Sequence, residues 1–159
     1  MRPALHNLER VLRTLHRARQ LYWRLLEPPM LGVRALILDG DGASVMLVRH
    51  TYLDGWYLPG GRVDRGETAE QALRREVAEE CGLQVEAARL LGIYNNAEVN
   101  RNDHILLFSV DRFTAAGRPR WLEIAEARFF PLEALPEGTT PATRRRLAEH
   151  ARAEFGGVW

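Results

Sequence analysis

The chain has no lysine: all 22 of its basic residues are arginine. A compositional bias of the source genome accounts for that, and no functional step depends on it. A single cysteine, Cys81, excludes an internal disulfide framework. It equally excludes a zinc site built from four cysteines, or from a pair of cysteines and a pair of histidines. Unbroken apolar runs are short. Stretches such as Ala35 to Leu38 and Ile105 to Phe108 stop at about five residues or fewer, far below the ~20 that a membrane-spanning helix needs. Nor does one sign of charge dominate, since 22 basic residues face 21 acidic ones for a net +1. Bulk charge therefore points to no particular partner and demands no basic stripe for nucleic acid. With neither an apolar leader core nor a disulfide framework, the expected location is the cytoplasm, with no membrane as partner.

What is present suits one domain. The 159 residues are 46% hydrophobic and 27% charged, enough for a core that buries roughly 70% of the unfolded surface. Leu5, Leu8, Leu12, Leu15, Tyr22 and Leu26 recur at helical spacing, and Pro28 and Pro29 stop the pattern. Residues 1–29 are thus expected to form an N-terminal amphipathic helix and residues 30–159 the main domain. The helix either packs on the body or a second copy, or serves a membrane-surface or targeting role. Gly32–Leu38 and Val45–Arg49 read as strands joined at Asp39-Gly40-Asp41-Gly42, whose residue types suit a tight hairpin turn. Val85–Tyr94, His104–Phe113 and Arg128–Pro131 read as further strands. Thr143–Phe155 reads as a closing helix ended by Gly156 and Gly157. Interleaved strands and helices give the α/β class.

The chemistry concentrates between Gly60 and Leu83. Thr68 with Gln71 three residues later is a capping box, and Gly82 supplies a left-handed terminator, so a helix of about 13 residues is expected between them. On it Glu76, Glu79 and Glu80 share one stripe, being three and four residues apart, while Leu73 and Val77 point toward a core. Like charges at that spacing cost ~0.2–0.5 kcal/mol per pair. Two readings offset the cost: a solvated acidic face balanced by Arg74 and Arg75, or a site for a hard divalent cation. Ahead of the helix, Trp56-Tyr57-Leu58-Pro59-Gly60-Gly61 ends a strand in a glycine turn where backbone can approach a ligand closely. Glu67 can reach Arg75, which in turn lies four residues before Glu79 and can hold a carboxylate in place.

Gly61, Glu67 and the run Arg75-Glu76-Val77-Ala78-Glu79-Glu80-Cys81-Gly82-Leu83 together resemble the complete signature of the Nudix hydrolase family, with every fixed position filled. Seven exact and two aliphatic positions at set spacing arise by chance on the order of 10⁻⁷ or less. The resemblance extends from Gly32 to about Leu135, roughly two thirds of the chain. It implies an α/β/α sandwich with a mixed β-sheet, the N-terminal helix being an addition. It also implies hydrolysis of a nucleoside diphosphate linked to another moiety, with Mg²⁺ (or Mn²⁺) held by Glu76, Glu79 and Glu80 and by the carbonyl of Gly60. Glu79 or Glu80 would then act as ligand and Glu76 as orienting or base residue, the roles being exchangeable, with Arg75 and Glu67 as structural partners.

A further acid would come from a later loop, with Glu123 preferred over Glu98, Asp103 and Glu126. Substrate contacts are expected from Arg49, His50, Gly61, Tyr94, Arg101 and His104, with Tyr52, Trp56 and Tyr94 as candidate stacking rings. Cys81 reads as a small filler. Relatives that cleave ADP-ribose often carry a proline about sixteen residues past the box. None occurs here between Pro59 and Pro119, and the extended aromatic motif of NADH-cleaving relatives is absent too. Nucleotide sugars, nucleoside triphosphates and dinucleoside polyphosphates stay open as substrates. Two other readings are a ligand sensor without turnover and a pyrophosphohydrolase of RNA 5′ ends. The complete box and the absence of a helix-turn-helix segment weigh against the first, and the charge balance against the second. Homodimer pairing stays open.

Overall fold

The computed structural model describes residues 30–97, 102–117 and 123–159. The expected N-terminal helix, Glu98 and Arg101 lie outside the described residues. Eight elements follow in order: β1 (Met30–Ile37), β2 (Ser44–His50), α1 (Ala69–Cys81), β3 (Leu83–Asn95), β4 (Asp103–Ala115), β5 (Ile124–Pro131), α2 (Pro141–Arg152) and β6 (Gly157–Val158).

Strand alternation divides the core into two halves, because successive side chains leave a strand on opposite faces. Val33, Ala35 and Ile37 of β1, with Met46 and Val48 of β2, meet Ala72, Leu73, Val77 and Cys81 of α1. Leu36, Val45 and Leu47 face the other way, toward Leu147 of α2 with Trp56, Tyr94 and Phe130. The result is the expected α/β/α sandwich. Its strands form two sheets rather than one: a mixed sheet in the order β1-β4-β3-β6 and an antiparallel pair β2-β5. In the first, β1 runs parallel to β4 while β3 and β4 are antiparallel.

The Asp39–Gly42 turn forms, with Asp39 Oδ1 accepting from the Ser44 N–H at 2.9 Å. It does not make the extended hairpin that the sequence suggests. Beyond the single bridge Leu38–Val45 the two strands part into different sheets. The segment 57–63 fills the gap. Its Tyr57 exchanges both backbone hydrogen bonds with Val48, and Pro59 and Gly61 carbonyls accept from Ala35 and Val33 at 2.8 Å. A hairpin ladder along β1 and β2 would have used those groups up; the gap is what lets a glycine turn enter the middle of the domain.

Both helices have chemical stops. Thr68 and Gln71 form the reciprocal capping box at the start of α1, and Gly82 ends it at φ 66°. α2 starts at Pro141 behind the Thr140 cap and ends at Arg152, with Ala153 left-handed at φ 53°. The expected stop at Gly156 and Gly157 is therefore corrected by three to four residues: those glycines shape the entry to β6, which pairs with β3 at Tyr94 and Asn95. Arg146, only 1% exposed, ties that tail down. Its guanidinium lies 4.0 Å from the Tyr94 ring centre and 5.2 Å from that of Trp159, and donates to the Val158 carbonyl at 3.0 Å and to Glu149 at 2.5 Å. Among the described residues no helix is long and apolar enough to cross a membrane.

Candidate active site

The glycine turn and α1 face one another, and each of the two glycines is required by a different neighbour. Gly60 has φ 134°, and a Cβ there would overlap the Val33 carbonyl of β1. A Cβ on Gly61 would lie 2.6 Å from the carboxyl carbon of Glu76. The backbone of the turn therefore touches the carboxylate stripe directly.

The stripe is not a solvated acidic face. Glu80 is 8% exposed, and its Oε2 accepts from the Gly60 N–H at 2.7 Å. Its Oε1 lies 3.9 Å from His50 Nε2. Burial pushes the Glu80 carboxyl up to about 7, against the Gly60 hydrogen bond and the positive charge of Arg34, with Glu76 and Glu123 pushing the same way as burial. Burial likewise raises Glu76 despite its contact with Arg75. An uncompensated buried carboxylate is costly, and nearby positive charge offsets the cost.

Arg75 supplies part of that charge. Its Nε and Nη2 each donate to Glu67 at 2.9 Å, a bidentate pair, and Nη1 donates to Glu76 Oε1 at 2.7 Å. Nη2 also caps the Arg62 carbonyl at 3.0 Å, and Nη1 stands 3.7 Å from Glu79 Oε2. The hydrogen bonds to Arg75 hold Glu67 below its ordinary range. Arg74, the other arginine offered as a counter-charge, turns away to Glu70 and to the Val85 carbonyl.

Arg34 has no role in the sequence reading, yet it belongs here. Its Nη1 donates to the Gly60 carbonyl, and its charge lowers Glu76, Glu80 and His50. The available signal was one charged residue inside the apolar run Gly32–Leu38.

The other candidates separate. His50 faces Glu80, with its side chain 9% exposed, while its neighbour Arg49 is exposed and pairs with Glu126 at 3.2 Å. Glu126 also accepts from Arg128 at 2.9 Å. Glu123 is close enough for its charge to act on both His50 and Glu80, and its carbonyl accepts from the Thr51 N–H at 2.9 Å. Asp103 accepts from Asn96 at 2.7 Å. His104 has its Nδ1 3.2 Å from the Asn102 carbonyl. Tyr94 corrects an expectation: it is fully buried and donates its hydroxyl to Glu149 at 2.7 Å, so its ring has no face for a base. Trp56, 7% exposed, packs edge-on against Phe130 at 4.6 Å and is core rather than a stacking platform. Cys81 is buried, and burial raises its thiol far above the ordinary range, consistent with filler.

Among the described residues no three His, Cys, Asp or Glu side chains meet closely enough to form a metal cage unaided. Their present partners explain the spread: Arg75 draws Glu76 and Glu79 while Gly60 holds Glu80. The donor chemistry nevertheless fits a hard cation, being carboxylate and carbonyl oxygen only. The raised Glu80 carboxyl marks a place where bound positive charge would relieve a cost the protein leaves standing.

A fold with a carboxylate-bearing helix against a glycine turn defines a class, and the comparisons identify it. The NUDIX domain model matches residues 28–151. An ADP-ribose pyrophosphatase of Methanocaldococcus jannaschii is 31% identical over 117 residues, covering 72% of this chain and 69% of that protein. A Bacillus subtilis (strain 168) relative, provisionally named an 8-oxo-dGTP diphosphatase, is 33% identical over 75 residues, 47% of this chain and 50% of its own length. The chain thus spans about half of that relative. Among solved structures, a MutT NUDIX hydrolase from Burkholderia pseudomallei aligns with a TM-score of 0.65 and 29% identity over 77% of this chain and 98% of that one. The chain belongs to the Nudix hydrolase family.

Proposed function

We propose that the protein hydrolyses a pyrophosphate bond in a nucleotide-derived small molecule, with water attacking phosphorus. The observation that carries this reading is Glu76, Glu79 and Glu80 on one face of α1, braced by Arg75 and packed against Gly60 and Gly61. Glu79, Glu80 and the Gly60 carbonyl, with Glu123 from the later loop, would hold Mg²⁺ or Mn²⁺. Such an ion, when bound, neutralises phosphate charge and makes water a better nucleophile.

The protein's own groups do the rest. Arg75 fixes Glu76 through Oε1, so that Oε2 takes the proton from the attacking water. Arg34 and Gly60 fix the turn beneath the phosphates. His50 reaches the same place from β2 beside Glu80, where it would contact substrate. Arg49, Arg101 and His104 are further candidates for the same role. The two curated relatives described above are named for different substrates, ADP-ribose and an oxidised nucleoside triphosphate. The missing proline past the box weighs against ADP-ribose.

The test is a panel of nucleoside diphosphate compounds assayed with Mg²⁺ and Mn²⁺ for phosphate release and product identity. Glu79→Gln and Glu80→Gln should each lower kcat by ~10²-fold or more with the fold intact. Near-wild-type turnover in both variants would refute the assignment.

A further inference from the structure

A cavity of about 540 Å³ opens between the loop after β2 and the loop before α2. Its floor is built rather than accidental. Gly55 has φ 103°, and a Cβ there would lie 2.7 Å from the Gly138 carbonyl. The Trp56 N–H donates to the same carbonyl at 3.1 Å. Only glycine at 55 lets the two loops close this tightly.

The walls combine an exposed ring with hydrogen-bonding acids. Tyr52 is 65% and Leu53 47% exposed, and Asp54 and Glu137 add carboxylates. His50 lines the same cavity and joins it to the carboxylate site, since its Nε2 is 3.9 Å from Glu80. Its Nδ1 is buried and finds no partner among the described residues. A buried polar nitrogen without a partner is costly, and a ligand group bound there would remove the cost. Arg49 lines the cavity too, with its charge engaged by Glu126 at 3.2 Å, which leaves Asp54 and Glu137 to accept hydrogen bonds from hydroxyls.

We propose that this cavity receives the moiety on the far side of the scissile pyrophosphate. That moiety is a hydroxyl-bearing ring, of a sugar or of a second nucleoside, resting on Tyr52 with its hydroxyls toward Asp54 and Glu137. The proposal rests on the hydrolytic reading above and narrows it: substrates with an organic group on both sides of the pyrophosphate are preferred over nucleoside triphosphates, which present only phosphate to this cavity.

Tyr52→Ala tests it: the ring is 65% exposed, and since it also lies 5.3 Å from the His50 ring, the triphosphate serves as the control for any shift of His50. Kinetics are measured on a nucleoside diphosphate sugar, a dinucleoside polyphosphate and a nucleoside triphosphate. KM should rise about tenfold for the two-sided substrates, as expected on loss of a stacking ring, and change less than about twofold for the triphosphate. Whichever two-sided substrate responds more identifies the sugar or the nucleoside as occupant. An equal rise for all three, or no rise for any, overturns the proposal. Binding of ribose 5-phosphate to the wild type and to Tyr52→Ala gives a readout free of turnover. Weaker binding to the variant, with inorganic phosphate bound equally by both, supports the cavity even if no nucleotide is hydrolysed, in which case the hydrolytic reading alone fails. Equal binding of ribose 5-phosphate to both proteins counts against the cavity.

Discussion

Glu80 connects the chemistry of the site to the stability of the protein. Burial raises its carboxyl from the ordinary 4.5 to about 7, so the native state binds this proton more tightly than the unfolded chain does. The resulting stabilisation is complete below pH 4.5 and is lost as pH climbs through about 7. Glu76 shifts in the same direction, whereas Glu67 shifts downward and acts only at lower pH. The metal-free protein should therefore melt at a lower temperature at pH 8 than near pH 5. Mg²⁺ should restore most of the difference, and Glu80→Gln should flatten the pH dependence. Thermal unfolding with chelator and with Mg²⁺ at both pH values checks this; a wild-type profile as flat as the variant's would sink the electrostatic account.

At the scale of elements, the parts written in local chemistry were legible and the parts set by distant packing were not. Thr68, Gln71 and Gly82 act within a turn or two of their own backbone, which is why both ends of α1 follow from sequence. α2 stops on Ala153, left-handed without the glycine that would mark the stop in sequence, and beyond it Arg146 holds β6 through Val158, a contact between residues brought together only by the fold. That buried arginine should matter greatly. Arg146→Ala leaves Glu149, which also accepts from the Tyr94 hydroxyl, without its cation, and the Tyr94 ring without the guanidinium 4.0 Å from its centre. Removing one partner of a buried pair costs about 3–5 kcal/mol. Urea unfolding should find a loss in that range; a loss below about 1 kcal/mol would mean that β6 contributes little to the fold.

Across the whole molecule, α/β class, sandwich architecture and the carboxylate helix were all readable from residues 32–135. The division into two sheets was not. It arises because segment 57–63 inserts between β1 and β2, and a hairpin signal at Asp39–Gly42 is silent about a third segment. The same insertion gives Arg34 its place in the site, because only the folded chain brings its guanidinium to Gly60. Tyr94 failed as a base platform because an aromatic in a strand reads alike whether it faces a cleft or a helix. Within the site, His50 meets Glu80 while Arg49 pairs with Glu126, a distinction that adjacency in sequence conceals.

All of this depends on whether the stripe of α1 grips divalent ions. Isothermal titration of Mn²⁺ into chelator-treated protein, with and without a nucleoside diphosphate, puts the question most directly, using Glu76→Gln, Glu79→Gln and Glu80→Gln for comparison. Saturable binding to the wild type, weakened about tenfold or more in Glu79→Gln and Glu80→Gln and less in Glu76→Gln, is the expected result. No binding under either condition, or equal affinity in all four proteins, would contradict it.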